Sequence, residues 1–233
     1  MRKFIILLAF VALTATISAQ TNIYSVSSGE LIFSWSEVDQ QIEEEMINVN
    51  SKLRFTLWFH VGQYLNFDFT NSLGLYTGMA LRNVGFITED SDYGLEKRVH
   101  RSYNLGVPLA LKLGSFKDHF YIYGGGEYEL LFHHKEKYWV DGQKHKTSQW
   151  FSDKTNRFVP SAFVGVQFPK GLNLQFKYYL DDFLNHDYKR GSADFSDYKK
   201  TQLFYVSLSV RLRTDQFKKI FTEEFYQGTM ASR

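Results

Sequence analysis

The chain has 233 residues, with 27 basic against 25 acidic side chains and no cysteine. That length suits one domain, the balanced charge excludes a global basic field for nucleic acid, and the missing cysteines exclude disulfide stapling. Aromatic residues make up 18%, 22 of them Phe and 15 Tyr, yet no stretch reaches the roughly 18 apolar residues of a spanning helix.

Met1 to Ala19 has the three parts of a secretory signal: Arg2 and Lys3, the apolar run Phe4 to Leu13, and the small-residue exit TATISA. The apolar run is about half of a helical span, which argues against a membrane anchor. Gln20 rather than cysteine follows, so no N-terminal lipid anchor is expected. Without Arg2 and Lys3 the acidic and basic counts are equal. The expected layout is a signal peptide over 1–19, one domain over 20–213 and a tail over 214–233.

Eight segments alternate with period two, the mark of a β-strand with unlike faces. The first, Gly29 to Glu37, sets Leu31, Phe33 and Trp35 against Ile32, Ser34 and Ser36. The second, Lys52 to Phe69, sets Leu53, Phe55, Leu57, Phe59 and Val61 against Arg54, Thr56, Trp58 and His60. The third, Gly74 to Ile87, opposes Leu75, Thr77, Met79 and Leu81 to Tyr76, Gly78, Ala80 and Arg82. In the fourth, Arg101 to Gly114, Tyr103, Leu105, Val107, Leu109, Leu111 and Leu113 form one greasy face and Lys112 lies on the other. The fifth, Phe120 to Tyr138, carries Gly124 to Gly126 and puts Glu127 and Glu129 on one parity. No GK[ST] or helix follows the glycines, so they read as a bend or close approach rather than a phosphate loop. The sixth is Arg157 to Phe168. The seventh, Leu172 to Phe183, alternates Leu174, Phe176, Tyr178 and Leu180 with Asn173, Gln175, Lys177, Tyr179 and Asp181. The eighth alternates Phe204, Val206, Leu208, Val210 and Leu212 with Tyr205, Ser207, Ser209, Arg211 and Arg213.

Long polar loops (37–52, 88–98, 140–156, 184–200) alternate with short turns (70–73, 115–119, 169–171). Outer-membrane barrels have that rhythm, with short periplasmic turns and longer external loops. The expected fold is all-β, an eight-stranded antiparallel up-and-down transmembrane barrel in the outer membrane, ending in a short amphipathic C-terminal helix. Alternation alone does not say which face is inside. A soluble barrel of lipocalin type would place the apolar residues within. Charges of both signs on the minority face favour a polar lumen and a lipid-facing exterior.

Tyr103 to Leu113, YNLGVPLALKL, resembles the YLEIPLLLKY strand of the Bacteroidetes-type small outer-membrane β-barrel proteins, the porin or PorT-like family. YIYGGGEYELL (121–131), FVGVQF (163–168) and LNLQFKYYLDDF (172–183) are similar to that family's later strands in order, so the resemblance covers about residues 29 to 213. It implies barrel architecture and brings no catalytic signature. Asn104 to Gly106 lacks the family's acidic residue before the proline, and the last strand does not end the chain.

The lumen is expected to hold Arg54, Arg82, Lys112, Lys177 and Arg211 with Glu127 and Glu129, as a plug of ion pairs or a narrow anion-leaning passage. In the tail, Phe217, Ile220, Phe221 and Phe225 fall at helical spacing, a stripe suited to the periplasmic rim or to docking a protein partner. His133, His134 and His145 lack metal-ligand spacing, and Asp181, Asp182 and His186 read as rim charges more readily than as a hydrolytic cluster. No cofactor, metal or nucleic acid is expected. The sequence points to a non-enzymatic structural or interaction barrel, with outer-membrane lipid and an envelope protein as partners. The alternatives are a small-solute channel and, more remotely, a membrane-embedded enzyme.

Overall fold

The computed structural model describes residues 21–42, 44–57, 60–90, 95–140, 142–190 and 193–214. The expected signal peptide, Trp58 and Phe59, and the tail with Phe217, Ile220, Phe221, Phe225 and its expected helix lie outside the described residues.

Eight long strands carry the chain: β1 (Asn22–Ile42), β2 (Val61–Asp68), β3 (Leu73–Asp90), β4 (Leu95–Ser115), β5 (Phe120–Val140), β6 (Phe158–Gln167), β7 (Leu172–Tyr179) and β8 (Tyr198–Arg213). Each pairs antiparallel with its neighbours in sequence, and β8 pairs back onto β1. One run of directly registered partners traces the circuit. Ile23 faces Phe67, and the run continues through Leu75, Leu111, Gly124, Val164, Phe176 and Val206 to Phe33. The path thus returns to its own strand ten residues higher, which tilts the strands by about 40°. A sheet wound this way closes on itself, with a break beside β3 between Leu81 and Ile87, where the Asn83 carbonyl accepts from Arg54 and the Gly85 carbonyl from Ser34.

The two faces divide as charge on the minority parity requires. On β4, Val107, Leu109, Leu111 and Leu113 are 51–62% exposed, whereas Asn104, Ala110 and Lys112 are 0–2% exposed. Apolar residues face outward and charges inward, the reverse of a lipocalin-type barrel. From Tyr103 to Leu113 the belt rises about 25 Å at about 3.3 Å per residue and that tilt. Aromatic rings edge it at both ends. Trp35 meets Phe204 at 4.8 Å and Tyr128 stacks on Phe158 at 5.7 Å at one end, and Phe120 meets Phe168 at 6.0 Å at the other. Pro108, which has no N–H to give, sits where the β3–β4 ladder passes from Thr77–Leu109 to Ala80–Gly106 without a registered pair between.

The connections differ from expectation at one end. The turns over 70–72, 116–119 and 169–171 are as short as the sequence implies. Three of the four long loops are largely sheet. β1 runs on through Asp39–Ile42 and pairs with Glu45–Val49, β3 and β4 pair up to Asp90–Leu95, and Gln143–Trp150 folds back along β5. Beyond the belt the outward residues turn polar or charged while inward ones such as Val38, Phe86 and His100 stay buried, so the apolar–polar alternation fades although backbone pairing continues. The expected second strand is broken: Ser51–Lys52 pairs with β3 and Arg54–Thr56 with β1 before β2 begins. Asp181 lies past the end of β7 and is exposed rather than inward.

Interior glycines make room for long side chains. A Cβ on Gly106 would lie 1.8 Å from Glu127 Oε1, whereas one on Gly126 would sit 3.5 Å from the Ser161 carbonyl, an ordinary contact. Gly106→Ala should therefore cost about 1–3 kcal/mol in urea unfolding, and Gly126→Ala should stay within about 0.5 kcal/mol.

Candidate functional site

Inward parity on several strands stacks polar side chains into layers. Next to the short turns, Lys112 Nζ donates to Asp68 Oδ1 at 2.5 Å and Asn66 Oδ1 at 2.8 Å, with the rings of Tyr24, Phe116 and Tyr121 around it at 4.8–5.3 Å. Above it, the Arg211 guanidinium lies among Tyr64, Tyr76 and Tyr123 at 4.8–5.4 Å and donates to Gln175 Oε1 at 3.0 Å.

The central layer is ionic. Arg82 donates from Nε and Nη2 to both Glu30 oxygens, at 2.9 and 3.1 Å, and from Nη1 to Glu127 Oε1 at 2.5 Å. Lys177 Nζ bridges Glu127 Oε2 at 2.5 Å and Glu129 Oε1 at 2.8 Å. Glu129 Oε2 also accepts from Tyr179 OH at 2.8 Å and Asn104 Nδ2 at 3.1 Å. Glu30, Arg82, Glu127, Glu129 and Lys177 are 0–5% exposed. Charges withdrawn from water persist only when paired and hydrogen-bonded, and each of these is. Toward the loop end the lumen turns apolar, packed by Ile32, Val84, Phe86, Leu131, Phe183, Leu184, Leu203 and Tyr205.

The structure thus brings together Arg82, Glu127, Glu129 and Lys177, with Lys112 and Arg211 in layers below. Arg54 does not join them; it donates to the Asn83 carbonyl at 3.3 Å and to Asn83 Oδ1 at 2.5 Å. Glu30 and Asp68 complete the set. Both share the inward parity already evident in their strands, Glu30 with Ile32 and Ser34, Asp68 with His60. With them, four carboxylates (Glu30, Asp68, Glu127, Glu129) share the interior with Arg82, Lys112, Lys177 and Arg211.

The other chemistry-bearing residues are dispersed. Among the described residues no three of His, Asp and Glu gather into a metal-holding group. His133 stacks on Trp150 at 4.1 Å, His145 stacks on Tyr138 at 5.2 Å, and His134 is buried beside His100. Asp182 Oδ1 accepts from the Thr201 amide at 2.5 Å, and His186 Nε2 lies 3.3 Å from Thr201 Oγ1. Thr201 is fully buried, so its hydroxyl fastens a loop and meets no substrate. Asp194, exposed in the same loop, is held down to about 2 by the Ser196 hydroxyl and amide and by Lys189.

No protein-family model matches the chain, and no curated protein matches it. Among solved structures it is similar to the attachment invasion locus protein Ail of Yersinia pestis, at 16% identity over 80% of this chain and 98% of that one, with a TM-score of 0.33. It is also similar to the neisserial surface protein A, at 10% identity over 83% and 99%, TM-score 0.41. The outer membrane protein OprG of Pseudomonas aeruginosa gives 10% identity over 82% and 95%, TM-score 0.37.

Glu127→Gln would leave Arg82 and Lys177 short of a buried counter-charge and should cost about 3–5 kcal/mol in urea unfolding. Glu37→Gln, which frees only a half-exposed pair with Lys200, should cost about 0–1 kcal/mol.

Proposed function

We propose that the chain is an integral outer-membrane β-barrel protein with a structural or protein-interaction role and no catalytic chemistry, set in the membrane through the belt between its two aromatic edges. The observation that carries this reading is the division of the wall: apolar side chains ring the outside, where water would penalise them, and paired ions fill the inside. A membrane satisfies the first, and closure satisfies the backbone within it.

The filled lumen supports a non-conducting barrel over a solute channel. A conducting path must wet the side chains that line it, and the central ionic layer is 0–5% exposed. The openings at the turn end, about 230 and 380 Å³, stop at Arg211 and Asp68, below that layer. An interaction role is supported by the Phe217, Ile220, Phe221 and Phe225 stripe of the sequence beyond Thr214. Thr214 itself is tied to the outer wall by Ser25 at 3.0 Å, Ser27 at 3.1 Å and Gln63 at 2.9 Å. A truncation that tests the tail should therefore begin at Asp215, and should leave a heat-modifiable barrel.

Full-length protein in a planar bilayer should be electrically silent; stepwise conductance would make it a channel. Leu109→Arg should cost about 2–4 kcal/mol in vesicles, whereas Gln149→Arg on the hairpin beyond the belt should be nearly neutral. Equal tolerance at both sites would refute the membrane placement.

A further inference from the structure

Above the aromatic edge the outer wall of β4, β5 and the Gln143–Trp150 strand carries cations in register. Nearest the belt lies an aromatic row, Tyr103–His133–Trp150. The next row is Arg101–Lys135–Ser148, then Val99–Lys137–Lys146. In the last, Trp139 pairs with Lys144 and has Lys97 Nζ over its ring at 5.7 Å. Six cations thus share one face. Arg101 stands directly opposite Lys135, and Lys137 directly opposite Lys146, arrangements that destabilise a sheet when nothing neutralises them.

The described protein supplies no counter-charge within these rows. Glu89 at the margin pairs with Lys52 at 2.8 Å and acts more weakly on Lys97, the outermost of the six, and Glu136, on the opposite face, pairs with Lys154 at 2.9 Å. Arg101 Nε is buried without an acceptor. Lys137, above the belt, lies below the ordinary lysine value through partial burial and then through Arg101, Lys144, Lys146 and Arg54. Arg101 and Lys97 keep the outward parity of β4, whereas Lys135 and Lys137 face outward because of one extra residue: Tyr103 pairs with His133 but Asn104 with Leu131, so Phe132 bulges and β5 changes phase.

We propose that this lattice binds the phosphate groups of lipid headgroups in the leaflet at the loop end. The cations continue the lipid-facing wall directly past its aromatic edge, at the depth where headgroups begin, and charge complementarity selects an anionic headgroup. The assignment rests on the membrane reading above.

The test uses full-length protein in phosphatidylcholine vesicles doped with bis-phosphorylated lipid A or its dephosphorylated form. Native mass spectrometry after mild extraction counts the lipid retained. Wild-type protein should keep the phosphorylated lipid and release the dephosphorylated one. K135Q/K137Q/K144Q/K146Q, checked for folding by heat-modifiable migration, should lose retention by roughly fivefold per cation. K189Q/K199Q, elsewhere at the loop end, should match wild type. Equal retention of both lipids by inserted wild-type protein would overturn the proposal without touching the membrane reading, whereas failure to insert would overturn both. Binding of inositol hexakisphosphate to the lipid-free micellar protein as tightly as lipid A would assign the face to a soluble polyanion and overturn the lipid assignment.

Discussion

Closure of the hydrogen-bond circuit is the constraint on which the rest depends. Because the run from Ile23 returns at Phe33, backbone groups along that circuit find partners inside the sheet, and the Asn83 and Gly85 carbonyls at the break beside β3 are met by Arg54 and Ser34. Only then can the outside be given over to Leu, Val and Phe, since no polar edge is left to require water. The ten-residue stagger also fixes the bore. Eight strands at that tilt enclose a space just wide enough for side chains, and Arg82, Lys177, Tyr64, Tyr76, Tyr123 and Tyr205 occupy it.

A filled bore lined by charged residues raises its own problem, because each buried ion is costly unless matched. Glu30 and Glu127 clamp Arg82, and Glu127 and Glu129 hold Lys177. Arg211 is held differently, by three tyrosine rings and one amide oxygen. Gly106 belongs to the same solution, since Glu127 reaches Arg82 through space that any side chain there would take.

The faces were legible in the sequence because burial on one side and lipid-suited residues on the other impose period two. Lys112, Lys177, Glu127, Glu129 and Arg82 all lie on the buried face of their strands. The partnerships were not legible, because register between distant strands leaves no trace in a single chain; Arg54 went to Asn83 and Glu30 was passed over. Strand ends failed for a different reason. Past Tyr103 and Phe132 the outward residues turn polar and the apolar alternation is lost, so Thr88 to Arg98 and Val140 to Asn156 look like loops although their backbones are mostly paired.

The bulge at Phe132 has a consequence for how such a wall can change. Below it the phase of β5 is tied to the bore, and a shift there would turn Glu127 and Glu129 to the apolar exterior. Above it the phase is set afresh, so Lys135 and Lys137 are free of the parity that governs the carboxylates. The strand is in effect two inheritable pieces joined by one residue. The outer piece can exchange its outward charges while Glu136 and His134 hold its inward face and the inner piece keeps its own phase.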